Sequence, residues 1–119
     1  MASMIVPILA LAMMQQSPLP FTKGSDLYSQ CKNWVALVDK TRGLTDDETY
    51  QAGECNGYVD GMTSGLTSMR IACPPPTATI GTLIRVYLVY VDAHPKVLDF
   101  GASAGMYGAL KEAYPCPAK

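Results

Sequence analysis

The sequence predicts an all-α fold: a small four-helix domain made of two helical hairpins and stapled by two disulfides. Three observations support this prediction. Apolar residues recur at helical spacing, a capping box stands at Thr45-Asp46-Asp47-Glu48, and the chain of 119 residues contains four cysteines. An even number of cysteines in a short exported chain is typical of a disulfide framework in an oxidising compartment. The length suits one small domain.

The N-terminal residues predict a signal peptide. Residues 4–12 are uncharged and apolar, but this run is much shorter than the roughly 20 residues that cross a bilayer. It ends in Ala10-Leu11-Ala12, the small-x-small pattern of a signal peptidase site. We therefore expect a signal peptide over residues 1–12, a linker over residues 13–24 and the helical domain over residues 25–119. The alternative is an apolar N-terminus on a cytosolic protein.

Two predicted helices form the first hairpin. Ser25 is the expected N-cap of the first helix, and Gly43 suits the chain reversal that follows it. The capping box at Thr45 opens the second helix, which is expected to run to about Arg70. The apolar face of the first helix is expected to contain Leu27, Cys31, Trp34, Val35 and Val38. That of the second is expected to contain Cys55, Tyr58, Val59, Met62, Leu66 and Met69.

Four glycines of the second helix, which we call the glycine ridge, follow one another at four-residue spacing: Gly53, Gly57, Gly61 and Gly65. Each glycine destabilises a helix by about 1 kcal/mol relative to alanine, so the four together cost about 4 kcal/mol. That is a large part of the stability of a small domain. Close packing of another helix along the ridge would offset it. We therefore predict a helix-packing surface, with the neighbouring helix either in the same chain or in a second copy.

A proline-rich connector separates the two hairpins. The sequence Cys73-Pro74-Pro75-Pro76 cannot continue a helix, and Thr79 is placed to cap the next one. The segment "LIRVYLVYV" is rich in β-branched and aromatic residues, so a strand is possible, but its length and context favour a helix. Such a helix is apolar nearly all round and is central or lies in an interface. His94-Pro95 ends it.

The last helix is expected to run from about Leu98 to Tyr114. Its inner face is expected to contain Ala102, Met106, Ala109, Leu110 and Ala113.

The spacing of the cysteines favours one of the three possible pairings. In an antiparallel hairpin centred on Gly43, Cys31 and Cys55 lie 12 residues from the turn on either side. In a second hairpin centred on His94-Pro95, Cys73 and Cys116 also lie at matching distances. Level positions on paired helices satisfy the Cα separation of a disulfide. We therefore predict the pairs Cys31–Cys55 and Cys73–Cys116, each contributing about 3 kcal/mol.

The composition argues against several classes of function. The chain has 9 basic and 10 acidic residues, with no basic stripe for nucleic acid. The cysteine spacing does not match a zinc site, and a Cys–His enzyme would have to use His94, the only histidine. No catalytic residues, metal site or cofactor are therefore expected. Only 16% of the residues are charged, against about a quarter in an average domain, so a partner is expected to cover part of the surface.

A set of short motifs occupies the positions Cys55, Gly57, Tyr58, Gly61, Cys73, Pro75, His94, Pro95, Ala109, Leu110, Ala113, Tyr114, Pro115 and Cys116. Together they resemble the Rap/Tai family of type VI secretion amidase-immunity proteins, over roughly residues 25–117. The resemblance implies an exported, disulfide-bonded, all-helical protein that is often dimeric. It also implies a role in blocking a peptidoglycan amidase delivered by rival or sister cells.

We therefore expect a periplasmic immunity protein that binds and inhibits an amidase toxin, forms a homodimer and has no membrane contact after signal cleavage. The alternative is a structural or chaperone-like periplasmic helical protein with no enzyme target. The best local candidate for toxin contact is the turn "VDAHPK" at residues 91–96, which we call the contact turn. It is stiffened by Pro95 and offers Asp92, His94 and Lys96 as polar contacts. The alternative is an ordinary helix–helix connection.

Overall fold

The computed structural model describes residues 22–118. In chain order its elements are α1 (Gly24–Asp39), α2 (Asp46–Ser68), α3 (Ile80–Ala93), a 3-10 helix (Pro95–Asp99) and α4 (Ala102–Ala113). Helix α1 packs mainly along α2, and α3 packs along α4. The predicted fold of two helical hairpins is thus confirmed. The predicted signal peptide and residues 13–21 of the predicted linker lie outside the described residues.

Both predicted disulfides are present. Cys31–Cys55 joins α1 to α2 with the Cα atoms 5.1 Å apart, and Cys73–Cys116 joins the flanks of the second hairpin with the Cα atoms 4.9 Å apart. Cys31 and Cys55 are fully buried, whereas Cys73 and Cys116 are half-buried. The first disulfide therefore lies inside the core and the second at its edge.

Two predicted helix caps are confirmed. The Glu48 N–H donates to the Thr45 hydroxyl at 3.1 Å, and the Glu48 carboxylate accepts from the Thr45 N–H at 3.0 Å. The bond from the Thr45 N–H, reinforced by the Arg42 guanidinium, lowers the pKa of Glu48. Thr79 caps α3 by accepting a hydrogen bond from the Thr82 N–H at 3.2 Å.

The start of α1 differs from the prediction, because Ser25 is not its N-cap. The helix begins one residue earlier, at Gly24, and Lys23 is the capping residue. The Lys23 N–H donates to the Asp26 carboxylate at 3.3 Å. Ser25 therefore lies within the first turn of the helix, where its hydroxyl cannot cap it.

The first chain reversal contains Gly43, as predicted, but its left-handed residue is Lys40. Lys40 takes the left-handed conformation with φ 55°, whereas Gly43 has no positive φ. Arg42 donates to the Asn33 side-chain oxygen at 2.8 Å, and the buried Asn33 donates to Gln51 at 2.9 Å. This polar network ties the loop residue Arg42 to the middle of α1 and to the first turns of α2.

The last helix begins at Ala102 and not near Leu98. Leu98 lies in the 3-10 helix, which ends at an extended Phe100 with φ −99° and ψ 177°. Gly101 is also extended and precedes α4 as its N-cap. The Ala102 N–H donates to the Thr22 carbonyl at 2.9 Å, in an antiparallel contact with the chain before α1. This tertiary contact holds the segment in an extended form and delays the helix.

The central hairpin helix α3 supplies much of the core. Tyr87 is fully buried and its hydroxyl donates to the Gly24 carbonyl at 3.4 Å. Burial raises the pKa of Tyr87. Val89, on another face of α3, is 69% exposed, so this apolar helix is both a core helix and a surface helix. The core comprises Leu27, Cys31, Cys55, Val59, Leu66, Ala72, Leu83, Ile84, Tyr87, Leu88, Val91, Ala102, Met106, Ala109 and Leu110.

Over residues 22–118, no helix combines the length and the apolar character that a membrane span requires.

Candidate functional site

The contact turn lies where α3 passes into the 3-10 helix. Helix α3 ends at Ala93, His94 has φ −131° and ψ 64°, and Pro95 is the first residue of the 3-10 helix. The side chains of Asp92, His94 and Lys96 are all exposed. The three predicted contact residues are thus all accessible, and their role in contacting a partner stays a prediction.

Asp92 is held by a residue from the first hairpin. The Tyr28 hydroxyl, on α1, donates to Asp92 Oδ1 at 2.8 Å. Lys32 Nζ lies 5.7 Å from the centroid of the same tyrosine ring. The hydrogen bond to Asp92, followed by desolvation and the negative charge of the carboxylate, raises the pKa of Tyr28. The Asp92 side chain is therefore anchored and not free to rotate.

His94 is held by its neighbour one helical turn earlier. Its ring stacks on Tyr90 with centroids 4.1 Å apart and an interplanar angle of 20°. His94 Nδ1 also lies 2.9 Å from the Tyr90 carbonyl oxygen. Because a carbonyl only accepts hydrogen bonds, Nδ1 carries the proton in this contact. The neutral ring then keeps Nε2 as an acceptor.

Gly108 on α4 makes room for the Tyr90 ring. A Cβ atom at this position would clash with the Tyr90 hydroxyl and would lie 2.6 Å from its Cζ atom. Any larger residue would therefore force the Tyr90 ring to move. No motif of the sequence indicated a role for Tyr28, Tyr90 or Gly108.

The end of the 3-10 helix that follows the contact turn is tied to the start of α1. The Gly24 N–H donates to the Phe100 carbonyl at 2.8 Å. A Cβ atom on Gly24 would clash with the Val97 carbonyl and would lie 3.1 Å from Leu98 Cα, so only glycine allows this close approach. The Phe100 ring itself is 59% exposed, which makes it a further accessible apolar group next to the contact turn.

Lys96 is the least restrained of the three predicted contact residues. It lies in the last turn of the 3-10 helix and is exposed. Within residues 22–118, the two ion pairs are Arg42–Glu48 and Arg85–Asp39, and neither includes Lys96. Its ammonium group is accordingly available to a partner.

An apolar groove between α3 and α4 opens beside the contact turn. Its volume is about 540 Å³, and Tyr90 and His94 form part of its wall. The other apolar lining comes mainly from Val86, Val89, Ala93 and Ala109, with Arg85 and Glu112 as charged members. The groove and the contact turn therefore share Ala93 and His94.

The glycine ridge faces open space. All four glycines are exposed, and a Cβ atom added to any of them would have no neighbour within 4 Å in the described part of the chain. Among residues 22–118, no helix packs closely on the ridge. A neighbouring helix, in the same chain or in a second copy, stays a prediction.

The cysteines have no catalytic or metal-binding geometry. All four are in disulfides, so the described residues contain no free thiol. Across residues 22–118, no three side chains among histidine, cysteine, aspartate and glutamate cluster as metal ligands would. The four cysteines therefore serve as structural crosslinks in the described part of the chain.

The comparison with family models matches residues 23–116 to the family described as Rap1a immunity proteins. The matched span includes all four helices, both disulfides and the contact turn. It agrees with the resemblance carried by the cysteine, glycine and His-Pro motifs of the sequence. No match was found among curated proteins or among solved structures. On the strength of a family match that spans most of the chain, this protein belongs to the Rap1a immunity protein family.

Proposed function

We propose that this protein is a periplasmic immunity protein that binds and inhibits a peptidoglycan amidase delivered by type VI secretion. The observation that carries the proposal is the family match over residues 23–116, which indicates immunity to a type VI effector. The protein acts as an inhibitory binding module, and the contact turn covers the catalytic cleft of the amidase. It has no chemistry of its own.

The restrained side chains of the contact turn support this role. An inhibitor loses affinity if it must order a loose loop when it binds. Here the Tyr28 hydroxyl holds Asp92, the Tyr90 ring holds His94, and the Gly24 amide holds Phe100 at the end of the 3-10 helix that follows the turn. Two of the three contact side chains are thus held before any partner arrives.

The two disulfides support an oxidising compartment. Disulfides persist in the periplasm and are rare in the reducing cytosol. Peptidoglycan also lies outside the cytoplasmic membrane, so an inhibitor of its hydrolysis is needed there. N-terminal sequencing of the protein purified from cells tests export. A mature chain without residues 1–12 is expected, and an intact Met1 on cytoplasmic protein would contradict export.

We further propose that the working form is a homodimer in which the glycine ridges face each other or face another helix of the second copy. The ridge is exposed and smooth, and it lacks a neighbour within the described chain. Helix packing across the ridge would offset the roughly 4 kcal/mol that four helical glycines cost. Sedimentation of the purified protein measures whether it is a monomer or a dimer.

The central experiment mixes the purified protein with the amidase encoded nearest its gene and follows cleavage of peptidoglycan. We expect cleavage to stop once the inhibitor equals the enzyme in molar amount, with a stable complex on a sizing column. Undiminished cleavage at a several-fold excess, with no complex, would reject the immunity role for that pair. A periplasmic helical protein without an enzyme target would give that second result with every amidase tested.

A further inference from the structure

Two of the three contact residues are held by aromatic side chains that lie outside the set. Asp92 accepts the hydrogen bond of Tyr28, which comes from the first hairpin 64 positions earlier in the chain. His94 stacks on Tyr90 and donates from Nδ1 to the Tyr90 carbonyl. Both contacts fix a side chain that would otherwise rotate freely on an exposed turn.

We propose that Tyr28 and Tyr90 are positioning residues that hold Asp92 and His94 in the orientation in which they meet the toxin, and that Gly108 provides the space Tyr90 needs. This inference rests on the proposed function and deepens it. Neither tyrosine needs to touch the toxin, since each acts through the residue it holds.

The geometry also defines the chemistry that the two held side chains offer. The Tyr90 carbonyl occupies Nδ1–H of His94, so the neutral ring presents Nε2 as an acceptor. Tyr28 occupies Oδ1 of Asp92, which leaves Oδ2 as an acceptor. The toxin surface that meets these two residues is therefore expected to carry hydrogen-bond donors, such as backbone N–H groups or Lys and Arg side chains.

The size of the effect follows from pre-organisation. Immobilising one flexible side chain on binding weakens an interface by an amount that corresponds to a factor of about 2 to 12 in Kd. Releasing His94 or Asp92 from its tyrosine should therefore reduce affinity about 2- to 10-fold, without removing the contact residue itself.

The first test needs no partner. A ring stacked on tyrosine shifts the proton resonances of the histidine imidazole, and this chain has a single histidine, so the signals are unambiguous. Gly108→Ala should displace the Tyr90 ring and remove the shift. Tyr90→Leu removes the ring without a clash and serves if Gly108→Ala folds poorly. Gly43→Ala is the matched control, because its added Cβ meets no atom within 4 Å.

The second test is a double-mutant cycle against the amidase encoded nearest the gene. Gly108→Ala and Tyr28→Phe should each weaken the complex about 2- to 10-fold in the parent chain. Gly108→Ala should have no further effect in a His94→Ala background, and Tyr28→Phe none in an Asp92→Ala background. Tyr50→Phe is the control for Tyr28→Phe, because Tyr50 is 70% exposed.

Equal losses in the parent and in the alanine backgrounds would overturn the proposal, because the tyrosines would then act by another route. Imidazole resonances at the positions of an unstacked ring in the parent protein would also overturn it. If the parent chain binds no amidase, the proposed function fails and the positioning role toward a toxin fails with it. The imidazole shift would in that case still show whether Tyr90 holds His94 in the free protein.

Discussion

Removal of the core disulfide should destabilise the fold more than removal of the edge disulfide, although its loop is shorter. Cys31 and Cys55 are 24 residues apart, and Cys73 and Cys116 are 43 apart. On chain entropy alone, these loops correspond to about 3.4 and 4.0 kcal/mol of unfolding free energy. The entropic difference thus favours the edge disulfide by about half a kcal/mol.

Burial reverses that order when the cysteines are replaced by serine. Cys31 and Cys55 are completely buried, so each new hydroxyl without a partner costs a further 1–3 kcal/mol or so. Cys73 and Cys116 are half-buried and can be solvated. We expect the unfolding free energy to fall by about 4 kcal/mol in the variant with Cys73→Ser and Cys116→Ser. In the variant with Cys31→Ser and Cys55→Ser it should fall by at least about 5 kcal/mol. The whole unfolding free energy of a native protein is about 5–15 kcal/mol.

Urea denaturation followed by circular dichroism measures both losses by linear extrapolation. The control is the pair Cys31→Ala with Cys55→Ala, which removes the same disulfide without introducing hydroxyls. This pair should lose less unfolding free energy than the serine pair at the same positions. A serine pair at Cys31 and Cys55 that is as stable as the parent would refute the reasoning. So would an edge variant that is clearly less stable than the serine core variant.

Three further predictions concern the surface. The triple replacement of the contact residues by alanine should abolish or strongly weaken amidase inhibition while the melting temperature stays within a few degrees of the parent; full inhibition by this variant would leave the immunity role standing and remove the turn as its site. Gly57→Leu should stabilise the monomer by up to about 1 kcal/mol, because leucine favours the helix and the added side chain meets open space. The same variant should dissociate the dimer in sedimentation experiments, and an unchanged dimer would place the interface elsewhere. Asp92→Asn should lower the pKa of Tyr28 in a spectroscopic titration, because the carboxylate raises it. A raised pKa stabilises the fold below pH 10, and this stabilisation is lost as the pH rises through the pKa of the folded state, so the variant should lose less stability at alkaline pH than the parent. An unaltered titration would show that Asp92 does not hold the phenol.

Local signals in the sequence predicted the local structure well. The Thr45 and Thr79 caps depend on contacts three residues apart, and both are found. The disulfide pairs followed from the symmetry of hairpins, which holds as long as the helices run antiparallel. Helical spacing does not show where along a helix burial ends. Val38 and Met69 were predicted on apolar faces, but they lie near helix ends and are 50% and 64% exposed.

Tertiary contacts decided what the sequence could not. Helix α4 was predicted to begin near Leu98 but begins at Ala102, because the chain before α1 forms a hydrogen bond with that segment. No local sequence pattern predicts such a bond. The candidate site shows the same division. Its three polar residues lie within five positions and could be proposed from the sequence. The tyrosine that holds Asp92 comes from another hairpin and could not.

The order of the two disulfides along the chain has a consequence for how the protein matures. The first cysteine pairs with the second and the third with the fourth, so the two covalent loops follow one another without overlapping. A chain that crosses a membrane from its N-terminus would present Cys31 and Cys55 to an oxidant before Cys73 emerges. Pairing in order of emergence then yields the native bonds directly, so thiol–disulfide exchange to correct a wrong pair is not required. Secretion of the oxidised protein should accordingly depend on a thiol oxidase and be indifferent to the loss of a disulfide isomerase.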